Sequence, residues 1–181
     1  MRVGYTGGTT ARPTYRSIGD HTEAFQVDFD PSKITYERLL ELFWSQHDPT
    51  RGAWSTQYKA AVWTHDAAQA AGAARSRDAA AARLGASVRT EVLPLGEFTL
   101  AEDYHQKYYL RHHEELMAEL ARYFDDTAGL IGSTAAARLD GWLAGHASSP
   151  EQIERELPLL GLSPAGQALV RARFGAQRTC R

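Results

Sequence analysis

Cysteine is nearly absent from this 181-residue chain: the only one is Cys180, the penultimate residue. One thiol cannot close an internal disulfide, which excludes a disulfide-stapled scaffold and suits a reducing compartment. Long apolar runs are missing as well. Nowhere do about 18 apolar residues run together, and Met1-Arg2-Val3-Gly4-Tyr5 has no leader-like apolar stretch, so the expectation is a soluble, cytoplasmic protein with no membrane partner. Neither sign of charge dominates. With 20 basic against 22 acidic residues and a formal charge of −2, the chain lacks the basic field that nucleic acid would require. What remains is ordinary globular material: 43% of residues are hydrophobic, enough for one domain core and a small appendage.

The periodicities predict an α/β pattern followed by a helical tail. Residues 23–29 alternate, with Glu23, Phe25, Val27 and Phe29 on one face, the period of a half-buried strand. Thr35 is placed to cap a helix reaching Gln46, with Leu39, Leu40, Phe43 and Trp44 as its apolar stripe and Asp48-Pro49 as its stop. Residues 58–63 read as a second strand, the alanine-rich stretch 66–84 as a helix closed by Gly85, and residues 88–93 as a third strand. Thr99-Leu100-Ala101-Glu102 has the form of a capping box, which predicts a long helix to about Tyr123. Ser149-Pro150 and Ser163-Pro164 open two short helices. The stretch 125–134 is the candidate boundary, dividing an α/β domain over 1–125 from a helical extension over 126–181.

Several residues carry possible chemistry, each beside a plainer alternative. Glu23 shares its strand face with three apolar residues; desolvated there, its carboxyl would titrate above the usual range and serve as a general acid near neutrality. The alternative is a solvated carboxylate at the strand's rim. Tyr15 and Tyr58 are phenols that could donate to a polarised oxygen, or pack without chemistry. His105, His112 and His113 share the predicted helix, but His105 and His112 are too far apart to chelate one ion without a third ligand between them, so no metal is expected.

Taken in order, Gly4-Tyr5-Thr6-Gly7-Gly8, Pro13-Thr14-Tyr15, His21-Thr22-Glu23, Leu42-Phe43-Trp44-Ser45-Gln46-His47-Asp48-Pro49, Ser55-Thr56-Gln57-Tyr58 and Ala101-Glu102-Asp103-Tyr104-His105-Gln106 resemble the A-class peptide methionine sulfoxide reductases. The resemblance runs from Val3 to about Tyr109. It implies a two-layer α+β sandwich of ferredoxin-like kind and reduction of methionine S-sulfoxide, free or in proteins, with thioredoxin as reductant and no cofactor. In that family a cysteine thiolate attacks the sulfoxide sulfur while a glutamate protonates the oxygen and two tyrosines hydrogen-bond it. The matching positions are Glu23, Tyr15 and Tyr58, and Glu102, Asp103, Tyr104 and His105 match the segment bordering the substrate. The thiol becomes a sulfenic acid, condenses with a resolving thiol and is reset by thioredoxin. Cys180 is the candidate resolving thiol.

The chain also departs from the pattern. Its Gly19-Asp20-His21-Thr22-Glu23 replaces the commoner Gly-His-Ala-Glu, and the loop before Tyr58, Arg51-Gly52-Ala53-Trp54, lacks the family's aspartate. The family's Gly-Cys-Phe-Trp-Gly motif, with its strand and helix, has no match. Three readings compete. In the first, Met1 is internal to a longer enzyme whose cysteine or selenocysteine nucleophile is encoded upstream, so the chain is inactive without it; the upstream DNA tests this. In the second, the chain is a non-catalytic homologue that binds methionine sulfoxide or a protein partner. The third relocates the nucleophile to Cys180. The first is the expectation adopted.

Overall fold

The computed structural model describes residues 1–147 and 149–175. They form two compact units, Val3–Ala101 and a second made of Met1–Arg2 with the chain from Glu102. Cys180 lies outside the described residues.

The first unit is α/β. Strand β1 (Arg2–Thr6) lies between β2 (Thr22–Gln26) and β5 (Phe98–Leu100), and pairs with β5 antiparallel, Tyr5 opposite Thr99. Strands β3 (Ala61–Thr64) and β4 (Glu91–Pro94) pair in parallel, with Val62 opposite Val92. Parallel neighbours need a crossover, supplied by the helix between them. In chain order, α1 (Tyr36–Ser45) is capped by Thr35, whose side chain accepts from the Arg38 backbone, and α2 (Ala67–Leu84) is capped by Asp66 and closed by Gly85 at φ 62°. Alanines on α2 let it approach closely: Ala73 and Ala80 are buried with Leu40 and Trp44, and Val62 and Val92 of the parallel strands pack on the same cluster. The Trp44 indole N–H donates to Ser76 Oγ at 3.0 Å, so its one polar atom is satisfied. His47 bridges the Phe43 carbonyl (3.0 Å) and Thr90 Oγ1 (2.9 Å), tying the end of α1 to the start of β4.

The second unit is helical: α3 (Tyr108–Arg111), α4 (Glu114–Leu120), α5 (Thr127–Gly132), α6 (Thr134–Leu143), α7 (Pro150–Glu156) and α8 (Pro164–Gly175). Its core gathers Leu110, Leu116, Leu120, Leu139, Trp142, Leu157 and Val170. Buried Glu119 accepts from the Ser163 backbone at 2.7 Å, just ahead of α8, and that bond holds its carboxyl below the usual range. No helix of the described residues is long and apolar enough to cross a membrane.

Two sequence expectations are corrected. The capping box at Thr99 does not open a long helix: residues 98–100 extend along β1, and a short 3-10 turn (Asp103–His105) precedes α3 and α4. Lys107 interrupts helical geometry at φ 53°, and its buried ammonium donates to the carbonyls of Met1 and Ile131. Burial, the larger influence, lowers its pKa. The alternation expected over residues 23–29 holds only along β2, Thr22–Gln26, and is inverted there: Phe25 is 63% exposed and Glu23 is exposed, while Thr22 is buried. Period reports alternation without saying which face turns inward. Here the Thr22 hydroxyl decides, donating to the Thr56 carbonyl at 2.9 Å.

Candidate active site

The loop between β1 and β2 is shaped by Asp20. Its carboxylate accepts from the Thr9 backbone (2.8 Å) and hydroxyl (2.9 Å) and from the Thr10 backbone (2.9 Å) and hydroxyl (2.7 Å). These bonds, the Thr10 backbone N–H foremost, hold the Asp20 carboxyl far below the usual carboxylate range. Buried His21 completes the clamp: Nδ1 accepts from the Gly8 backbone at 3.3 Å, and Nε2 lies 2.8 Å from the Thr10 carbonyl. Only the neutral tautomer protonated on Nε2 satisfies both contacts. The Gly19-Asp20-His21 variation in the sequence is thereby a loop-folding device. Its product is a tight turn in which Thr14 and Ser17 exchange backbone hydrogen bonds at 3.2 and 3.1 Å around Tyr15 and Arg16.

A second loop, residues 51–60, meets β2. The Glu23 backbone N–H donates to the Gln57 carbonyl at 3.0 Å, beside the Thr22 to Thr56 bond, so the two segments are pinned side by side. Gln57 Nε2 then donates to Glu23 Oε1 at 2.7 Å and to Tyr58 Oη at 3.2 Å. Partial desolvation, then the Glu23 carboxylate, then Tyr15 with a shared hydrogen bond, raise the Tyr58 pKa. A phenol so held stays protonated and able to donate. Trp54, 83% exposed, lies with its ring 4.9 Å from that of Tyr58. Glu23, Tyr15 and Tyr58, separated in sequence, are thus one cluster. Glu23 is the exposed rim carboxylate of the alternative reading; the burial expected from the strand pattern is not found.

The sequence reading singled out neither Gln57 nor Trp54 as a site residue. Gln57 lies within Ser55-Thr56-Gln57-Tyr58, and its place beside Tyr58 is the available signal; an exposed Trp has no signature in the sequence. The other expected residues, Glu102, Asp103, Tyr104 and His105, belong to the helical unit, where they form their own cluster. Asp103 accepts from the Thr127 hydroxyl at 2.8 Å, Tyr104 and His105 rings are 4.2 Å apart, and His105 Nε2 is 3.9 Å from Glu102.

The family model for peptide methionine sulfoxide reductase matches residues 1–128. The chain belongs to the peptide methionine sulfoxide reductase family. It is 37% identical over 168 residues to a peptide methionine sulfoxide reductase of Drosophila melanogaster, covering 90% of this chain and 65% of that protein. It is 45% identical over 119 residues to the reductase MsrA of Salinispora arenicola, covering 59% of this chain and 54% of that one. The chain therefore spans between half and two thirds of the length of these relatives. Among solved structures, reduced Mxr1 from Saccharomyces cerevisiae aligns with a TM-score of 0.57 at 27% identity, over 63% of this chain and 71% of that one. The mixed α/β class expected from the sequence is that of the family, and the helical C-terminal region is present.

Proposed function

We propose that this chain provides the oxygen-protonating part of a methionine S-sulfoxide reductase site. The observation that supports it is the Glu23, Gln57, Tyr58 and Tyr15 cluster, a carboxyl and two phenols grouped by hydrogen bonds where a sulfoxide oxygen can reach them. In the reaction a thiolate attacks the sulfoxide sulfur, Glu23, an exposed carboxylate, takes a proton from solvent and relays it to the oxygen, and the tyrosines hydrogen-bond that oxygen. The oxygen ends on the attacking sulfur: the sulfoxide is reduced by two electrons to the thioether, and the thiol is oxidised to a sulfenic acid. A second thiol then forms a disulfide with loss of water, and thioredoxin returns both to thiols in a cytoplasmic, reducing setting. Among the described residues there is no cysteine, so the attacking thiol is supplied from outside them.

Titration calorimetry with blocked methionine S-sulfoxide, the R epimer and methionine tests this. Preferential binding of the S epimer is expected, unaccompanied by thioredoxin-linked turnover. In a protein that also carries the family's Gly-Cys-Phe-Trp-Gly segment, Glu23→Gln should lower kcat by about 100-fold or more with little change in binding. Equal affinity for both epimers and the thioether would overturn the reading. Turnover by the chain alone that disappears in Cys180→Ser would instead assign the nucleophile to Cys180.

A further inference from the structure

The loop that presents Tyr58 also walls an open pocket of about 400 Å³, bounded by Arg51, Ser55, Thr56, Lys59, Arg89 and Glu91. Three cations face one carboxylate there. Glu91 is engaged by Lys59 at 3.6 Å, and Arg51 leans out to Asp48 at 3.1 Å. Arg89 is held by its backbone, whose N–H donates to the Pro49 carbonyl at 2.7 Å, while its guanidinium has no ion pair or hydrogen bond among the described residues. A free guanidinium fork matches a planar carboxylate. The hollow thus offers the exposed, unpaired Arg89 guanidinium in a lining of three cations to one carboxylate.

Its position says what the carboxylate belongs to. Ser55 and Thr56 line the pocket, and the next two residues, Gln57 and Tyr58, hold Glu23. Two residues of chain span at most about 7 Å, so the Ser55–Thr56 wall of the pocket and the Gln57–Tyr58 pair adjoin within the length of one small substrate. We propose that the pocket is a carboxylate subsite of the sulfoxide site, selecting methionine sulfoxide that has a carboxylate within about one residue of it. This rests on the function proposed above. The carboxylate is either the α-carboxylate of free or C-terminal methionine sulfoxide or the side chain of an adjacent Asp or Glu.

Calorimetry on the full chain separates these sources and tests the idea. The ligands are neutral blocked methionine S-sulfoxide, N-acetylmethionine S-sulfoxide with its free carboxylate, blocked sulfoxide dipeptides ending in Asp or Lys, and the Asp dipeptide with unoxidised methionine. At least one carboxylate ligand should bind about three- to tenfold more tightly than the neutral one at low salt, the advantage shrinking as salt is raised. The arm that gains identifies the source. Arg89→Ala should abolish the advantage and leave the neutral ligand's affinity unchanged, and Arg89→Glu should favour the Lys dipeptide. Equal affinities in the wild type, or an advantage that survives both substitutions, overturn the subsite and leave the reductase reading standing. If the Asp dipeptide binds through Arg89 whether or not its methionine is oxidised, and the neutral sulfoxide does not bind, Arg89 serves a carboxylate site unconnected with sulfoxide, and both the subsite and the reductase reading fall. Should Arg89→Ala fail to fold, Arg89→Gln and the wild-type salt dependence decide.

Discussion

At the scale of single residues, Asp20 shows how an exposed carboxylate can organise a loop. Four donors from Thr9 and Thr10 converge on it, so its charged form is favoured in the folded chain. A carboxyl whose folded pKa is depressed contributes stability that is fully present above its unfolded pKa of about 3.9 and is lost as pH falls toward the folded value. Asp20→Asn should therefore melt at a lower temperature than the wild type at pH 7. The difference should narrow as pH falls below about 4, where the wild type loses its advantage. Thermal unfolding followed by circular dichroism between pH 7 and pH 2 reads this directly, and a difference that stays constant with pH would show that the hydrogen bonds act without the charge. The sequence made the type of residue visible but not its task. Asp20 and His21 stood beside Glu23 as an unusual spelling of a site motif, and only the return of the chain past Thr9 and Thr10 shows that they clamp a loop.

At the scale of elements, local signals were legible and non-local ones were not. Thr35 and Ser149 stand at the starts of the helices they were expected to open, and Asp66, read as the first residue of its helix, caps it, because a cap is decided within a few residues of chain. Thr99 reads equally well as a cap by the same local rule, yet it lies opposite Tyr5 in the sheet, a partner nearly the whole unit away in sequence. The inward face of β2 was likewise settled from a distance, by the Thr56 carbonyl. The turn that leaves β1 is another such element. Gly7 takes φ 82°, and a Cβ there would overlap the indole of Trp63 on β3, so both backbone and packing require glycine. Gly7→Ala should cost about 1–3 kcal/mol, read as a shift of the urea midpoint, through strain and overpacking together. It should also weaken binding of the S-sulfoxide, since the turn leads into the loop bearing Tyr15. Unaltered stability would mean that Trp63 yields the space freely.

At the scale of the molecule, apolar burial is divided unequally. The α/β unit buries Leu40, Trp44 and a few alanines while leaving Phe25, Val27, Leu100 and Trp54 exposed. The helical unit closes a larger core, partly over elements that the sequence left undivided: α5, only 6 residues long, falls in the stretch expected as a boundary, and α6 begins at its end. Helices this short are marginal alone and are stable through the face they bury. Leu139 on α6 has no exposed surface and sits in the same cluster as Leu110, Leu116 and Trp142. Truncating it removes the transfer energy of the side chain and leaves a cavity among neighbours that can relax only in part, so Leu139→Ala should cost about 2–5 kcal/mol. Hydrogen exchange resolved by segment is the suitable measurement. Amides of α3, α4 and α6 should lose protection together, by that amount, if their short helices depend on one shared core. A loss confined to α6 would show instead that each helix is held by its own caps and local contacts, and that the cluster around Leu139 contributes little to the stability of its neighbours.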